Sequence, residues 1–415
     1  MGTRGSDAES LHVLPQLSGV FSIISEYEGA SEVETLSLES LTGVRADLDV
    51  FDIDDNSFPE ATATYREAVE RSIDGASALV TYRSSDLVSS VCFSKKDSCT
   101  YLGMFNAHQA AFEHKPWVET SLAKLGVATL NWEYVDLHDA QKLRALLDGG
   151  PLMARRSRTT GGVGFSRIDT LVDALSWEGE GSSYTSVARY SSGSPVNIGG
   201  VVWDDGVSVH PASLQLIGVA CLTERAFGYC GNDFGAMSMF EAKTLDDLKH
   251  YMNIIGTWLH SNGYRGAFGA DFLVEDGRAT FLEVNPRFQG STRASCQLSG
   301  ERGEAGIIME HLGALLGMAC PGSASLRDYV GSGPLAQFVV HAPFDWLRAE
   351  QVASLMTDVR TAGGRVDTAL TGVVLADRGA AVARVVVRDV ISTSGFELGE
   401  TWENIVSTWA TAIAQ

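Results

Sequence analysis

Between Gly266 and Thr292 the chain reads GAFGADFLVEDGRATFLEVNPRFQGST, two runs rich in aromatic and aliphatic residues around Glu275-Asp276-Gly277-Arg278. This pattern predicts two antiparallel strands, 268–274 and 279–284, joined by a tight loop. Side chains alternate across a strand, so Glu283 and Asn285 point one way while Leu282 and Val284 point the other. Asp271 joins the first face only if the register allows it. A two-residue Asp-Gly turn sends it to the opposite side, so a shared site requires a longer loop or a bulge. Given that register, two carboxylates and an amide converge on one side of a short ribbon. Magnesium takes hard oxygen ligands, keeps one or two carboxylates from protein, and fills its octahedron with phosphates and water. Asp271, Glu283 and Asn285 suit that ion, although two acids on the wet face of a hairpin need no ligand.

The residues that follow favour the ion. Asn285-Pro286-Arg287 and then Gln289-Gly290-Ser291-Thr292 put an obligate cation and a small-residue loop beside the paired acids, a combination suited to phosphate chemistry. Upstream, Pro151 to Phe165 (PLMARRSRTTGGVGF) reads as a strand entering a glycine-rich loop. Glycine lets backbone approach an anion closely, and consecutive amides can cradle it, although the same composition makes an ordinary flexible turn.

At 415 residues the chain is too long for one ordinary core and predicts two to four structural units. A net charge of -21 argues against general nucleic-acid or anionic-membrane binding, so an anionic nucleotide would need a local basic site. The six cysteines, at 92, 99, 221, 230, 296 and 320, form no CxxC pair, which fits reduced thiols in the cytoplasm. The N-terminal MGTRGSDAES lacks the apolar core of a secretory signal, and no apolar run is long enough to span a membrane.

Along the chain, residues 1–108 read as an N-terminal α/β unit and 109–190 as a linker helix with a small glycine-loop domain. Residues 191–415 read as a large α/β domain carrying the acidic hairpin. One helix is expected over 103–126, ending at Gly126, with His108 and His114 in packing or surface roles. Val196 to Trp203 and Val207 to Leu216 predict another hairpin. Thr244-Leu245-Asp246-Asp247 reads as the start of a helix whose buried stripe is Leu245, Leu248, Met252, Ile255 and Leu259. Further elements are a helix over 304–316, strands over 336–340 and 381–387, and a terminal helix from about Thr401.

The acid on one strand followed by Glu283-Val284-Asn285-Pro286-Arg287 on the next closely resembles the metal-binding strand pair of the ATP-grasp superfamily. The resemblance covers about 150–320. It implies an ATP-grasp fold with a pre-ATP-grasp α/β domain, a small lid and a large nucleotide- and metal-binding domain. It also implies ATP with one or two Mg2+ ions, or Mn2+ in their place, held by Asp271, Glu283 and Asn285. Arg155 stands where the family commonly has lysine and, with Thr159, Thr160, Gly161 and Gly162, would clamp the triphosphate. The backbone of Val187, Ala188, Arg189 and Tyr190, together with Leu282, would meet the nucleotide, although many members carry an acid near Ala188. Arg287, with Arg265 as a second candidate, would stabilise the transferred phosphoryl group. Gly290, Ser291, Thr292 and Arg293 would contact the acyl end of the substrate.

The activity implied is an ADP-forming carboxylate–amine ligase working through an acyl phosphate. The nearest types are the amino-acid and peptide ligases of bacterial secondary metabolism, such as the pheganomycin-type peptide ligase of antibiotic formation. Partners would be a small-molecule acid and an amine or peptide, with a homodimer as a candidate assembly. Another ATP-grasp ligase or carboxylase acting on a small metabolite, or an ATP-binding module without turnover, would use the same nucleotide residues.

Overall fold

The acidic ribbon forms as Gly266–Glu275 and Arg278–Asn285, closed by the two-residue turn Asp276-Gly277 with φ of 50° and 73°. Both turn residues occupy the left-handed region that matches the twist of a hairpin, which glycine and aspartate tolerate. From the turn the strands pair Glu275 with Arg278 and continue to Phe272 with Phe281, and then the register shifts. Leu282 is the extra residue of a β-bulge, beyond which Asp271 faces Glu283 and Gly269 faces Asn285. Loop length does not decide this, because a four-residue loop over 275–278 would leave the same pairing. The bulge alone brings Asp271 opposite Glu283.

A computed structural model of the chain describes residues 2–4, 10–11, 13–14, 17–24, 34–45, 59–95, 98–104, 106–157, 162, 164–177, 185–370 and 374–414. The ribbon forms one edge of an eight-stranded antiparallel sheet. Taken from that edge, its strands are Arg278–Asn285, Gly266–Glu275, Ser194–Val202, Val207–Ile217, Tyr229–Asp233, Ala336–His341, Ala381–Val387 and Arg365–Ala369. The expected hairpin over 196–216 is therefore the centre of the sheet, and the C-terminal strands extend it. The helix Ala242–Ser261 covers one face and buries Leu245, Leu248, Met252, Ile255 and Leu259 as its periodicity requires. Full burial of each such side chain contributes roughly 1.5–3 kcal/mol. The helix starts two residues before Thr244, whose hydroxyl donates to the Gly277 carbonyl at 2.9 Å and so ties the helix to the turn of the ribbon.

A separate antiparallel sheet of four strands forms ahead of the large one, in the order Glu133–Val135, Thr185–Arg189, Leu152–Arg155, Phe165–Ile168. The N-terminal region carries parallel strands, Gly2–Arg4, Gly19–Ile24 and Glu34–Ser37 in one sheet and Ala78–Val80 with Thr100–Leu102 in another, with the helices Pro59–Ser72 and Asp86–Ser94 between them. The helix expected over 103–126 is two helices, Asn106–Phe112 and Lys115–Lys124. Pro116 lacks an amide and belongs in a first turn, so a new helix starts there with His114 as its cap. Val118 and Leu122 of that second helix enter the same core as Phe281 and Val284 of the ribbon. This packing docks the helix start onto the acidic face. All six cysteines are free thiols. Among the described residues no helix is long and apolar enough to cross a membrane.

Candidate active site

A cavity of about 320 Å³ opens between the four-stranded sheet and the ribbon. Asp271, Glu283, Asn285 and Arg287 line it from the ribbon, and Met153, Arg155, Arg189 and Tyr190 line it from the small sheet. Asp271 is the hub on the ribbon side. Its carboxylate accepts from Asn197 Nδ2 at 2.6 Å, Asn285 Nδ2 at 3.0 Å, Gln215 Nε2 at 3.2 Å and Gln289 Nε2 at 3.4 Å. Asn197 lies directly opposite Asp271 on the next strand, so one row of cross-strand partners carries the polar face.

Burial pushes the Asp271 carboxyl up to about 7, with the neighbouring charge of Glu283 adding to the rise. Burial acts on Glu283 in the same direction, but Lys115 at 3.0 Å outweighs it, helped by Arg155 and Arg287, and holds its carboxyl below the usual range. The Glu283–Lys115 contact is an ion pair by distance, yet the Oε2 atom it involves is buried without a well-directed hydrogen bond. Lys115, at the start of a helix nearly 170 positions upstream, is a site cation that no local motif announces.

The donor set fits magnesium. It offers two carboxylates and one amide, hard oxygen donors without histidine or cysteine. An ion held by Asp271, Glu283 and Asn285 would draw the rest of its oxygen shell from phosphate and water. Asn285 donates from Nδ2 to Asp271 and accepts at Oδ1 from Arg287 Nη2 at 3.0 Å, so the same amide links the acids to the cation.

Because the folded Asp271 carboxyl titrates near 7 and the unfolded one near 4, ion-free folding takes up a proton within that window. The contribution of Asp271 to stability is therefore fully present below about pH 4 and is lost as the pH rises through 7. A divalent cation competes with that proton. Saturating Mg2+ is expected to raise the melting temperature little at about pH 5 and much more at about pH 8. Thermal melts with and without Mg2+ check this, and a pH-independent Mg2+ effect would remove Asp271 from the ion site.

The other residues expected at the site divide. Arg155 lines the cavity, but it is buried and already engaged. It pairs with Glu119, donates to the Leu282 carbonyl at 2.8 Å and stacks on Trp132 at 3.6 Å. Burial lowers the Arg155 pKa and raises that of Glu119, so desolvation dominates on both sides of the pair. Leu282 and Tyr190 also line the cavity. Val187 and Ala188 turn their side chains into buried positions of the small sheet, leaving only backbone to offer. The ladder to Glu133–Val135 stops at Val187, so among the described residues the edge of Ala188 to Tyr190 has no partner strand on that side. The Arg189 guanidinium reaches back to the carbonyls of Gly150 and Leu146. Gly162, with φ of 82°, sits so close to the Phe227 carbonyl that a Cβ there would lie 1.7 Å from it, so this residue rests against the large domain. Thr159, Thr160 and Gly161 lie outside the described residues.

Gly290 and Ser291 line the cavity, while Thr292 and Arg293 do not. The Thr292 hydroxyl accepts from the Gln289 amide at 2.9 Å and fixes the loop. Arg293 is buried in an ion pair with Asp367, which also accepts from Arg384 at 2.9 Å. Burial pushes Asp367 up, but the two arginines outweigh it and hold the carboxyl low. Arg265 is likewise misplaced by the sequence reading. It pairs with Asp204 at the far end of the sheet, since six residues of extended strand separate it from Asp271 by roughly 20 Å.

No known family profile matches the chain, and no curated protein is similar to it in sequence. Solved structures are similar in fold. N5-carboxyaminoimidazole ribonucleotide synthetase from Thermus thermophilus superposes over 100% of this chain and 98% of its own, with TM-score 0.58 and 14% identity. Carboxyaminoimidazole ribonucleotide synthase from Aspergillus clavatus, complexed with ATP, covers 84% and 85% with TM-score 0.56 and 13% identity. Biotin carboxylase from Campylobacter jejuni, in a β-γ-ATP complex, covers 80% and 76% with TM-score 0.54 and 14% identity. With its small antiparallel sheet set over a large one, and the cavity between them, this chain has the ATP-grasp fold.

Proposed function

We propose that the protein is an ATP-dependent, ADP-forming ligase that activates a small carboxylic acid as an acyl phosphate and passes the acyl group to an amine. One arrangement carries this reading. Asp271, Glu283, Asn285 and Arg287 line one cavity whose other lining includes residues of a second sheet. A carboxylate is a poor electrophile. Phosphorylation breaks the γ-phosphoryl bond to ADP and forms a carboxylate O–P bond, after which amine attack on the acyl carbon expels phosphate. Magnesium bound at the acids would supply charge neutralisation for the moving phosphoryl group.

The chain supplies the rest of the chemistry. Asp271 and Glu283 hold their oxygens on one face because the Leu282 bulge sets the register. Arg287, at the cavity wall, can donate to the transferred phosphoryl oxygens and to the oxyanion of the tetrahedral intermediate. Lys115 and Arg155 offset the acids and keep positive charge close to the triphosphate path. The edge of Ala188 to Tyr190, which pairs with no strand on that side among the described residues, suits hydrogen bonding to a base. Gly162 against Phe227 favours a closed lid, which keeps water from the acyl phosphate.

Joining an amino acid to a peptide is the narrower form of this reaction. The solved proteins of similar fold are, by name, a biotin carboxylase and ribonucleotide synthases, which favours a small-metabolite substrate over a peptide. Incubation with Mg2+, ATP and pooled acids and amines, followed by ADP detection and mass spectrometry, tests the proposal. The expected result is ADP together with a condensed product and phosphate. ADP without a condensed product contradicts ligation, and no ADP with any pool favours a binding module.

A further inference from the structure

Away from the acidic ribbon, the large domain and the N-terminal region contribute rings to the cavity lining. Phe227 and Tyr229 line it from the loop and strand that follow Gly218, and Tyr82 lines it from the N-terminal region. We infer that this wall receives an uncharged aromatic or bulky apolar group of the small acid, and that Tyr229 selects it. This rests on the ligase reading above and adds the substrate class to it.

Tyr229 is held rigidly. A Cβ on Gly290 would lie 2.6–2.8 Å from the Tyr229 hydroxyl and ring atoms, so only glycine lets the ring settle on that backbone. The Tyr229 hydroxyl donates to Asn232 Oδ1, and Asn232 in turn donates to Ser213 Oγ at 2.9 Å. Gln337 Nε2 donates to the Gly290 carbonyl at 2.6 Å and fixes the other side of the contact. With its hydroxyl tied into the sheet, Tyr229 offers the cavity its ring. Phe227 lies 6.4 Å from Phe165 of the small sheet, so lid and wall meet through rings as well.

The charge distribution points the same way. Among the described residues, the cations that line the cavity are Arg155, Arg189 and Arg287, and the first two are already engaged by Glu119 and by the Gly150 and Leu146 carbonyls. A substrate carboxylate has Arg287 to meet, and the rest of the molecule meets rings.

The test is an equilibrium titration of the full chain with Mg2+ and a non-hydrolysable ATP analogue present, using phenylalanine, glycine and ribose 5-phosphate as probes. Phenylalanine is expected to bind about 10-fold or more tightly than either other probe, the worth of one buried aromatic side chain. Tyr229→Ala is expected to cut that preference below about 3-fold, while Tyr229→Phe keeps it and both bind the nucleotide analogue normally. Ribose 5-phosphate binding as tightly as phenylalanine overturns the inference, as does an unchanged preference in Tyr229→Ala. If the nucleotide analogue itself fails to bind the wild-type protein, the ligase reading falls too, so the two failures are told apart.

Discussion

Glu283→Gln is expected to lower ADP formation on the order of 10³-fold while leaving the fold intact. Glutamine keeps the shape of the side chain but removes the charge that would bind the ion. Two effects on stability oppose each other. Lys115 loses the counter-ion 3.0 Å away, a change that in a buried pair costs about 3–5 kcal/mol. Asp271 loses the like charge that helps hold its pKa near 7, so it ionises more readily and replaces part of the lost negative charge. The melting temperature should therefore shift by only a few degrees while turnover collapses. Steady-state ADP release and a thermal melt on the same preparation check this, and activity within about tenfold of wild type would take Glu283 out of the ion site.

Arg287→Met is the second large effect. Arg287 holds its place by donating to Asn285 Oδ1 at 3.0 Å and to the Phe288 carbonyl at 3.1 Å, and it faces the cavity. Groups aimed at charge that develops during reaction act on the rate more than on binding, typically by about 10²–10³. The expected result is a kcat reduced by about that factor, with KM for ATP changed much less. Arg287→Lys should recover little, because an ammonium cannot replace two parallel guanidinium donors. A raised KM for ATP with unchanged kcat would make Arg287 a nucleotide-binding residue instead.

The ribbon was legible because strand alternation and the Glu-x-Asn spacing are local, and local patterns determine which side chains share a face. The register that brings Asp271 to Glu283 was not legible. It depends on the bulge at Leu282, and neither alternation nor turn composition specifies a bulge. Asn197 left a usable trace, an amide within the otherwise apolar strand SPVNIGGVV, where a buried polar group needs a partner. Lys115 and Glu119 left none, because they reach the site through the packing of a helix distant in sequence. Arg293 failed for a different reason. The helix begins at Thr292, and each residue then turns about 100° around the axis, which carries Arg293 from the cavity to Asp367.

The central claim is that an ion held by Asp271, Glu283 and Asn285 lies against the triphosphate. Anomalous diffraction from crystals grown with Mn2+ and a non-hydrolysable ATP analogue tests it directly. The account predicts a manganese peak within bonding distance of oxygens of these side chains and of the nucleotide's phosphates. A peak elsewhere, or a nucleotide seated away from the ribbon, would contradict it.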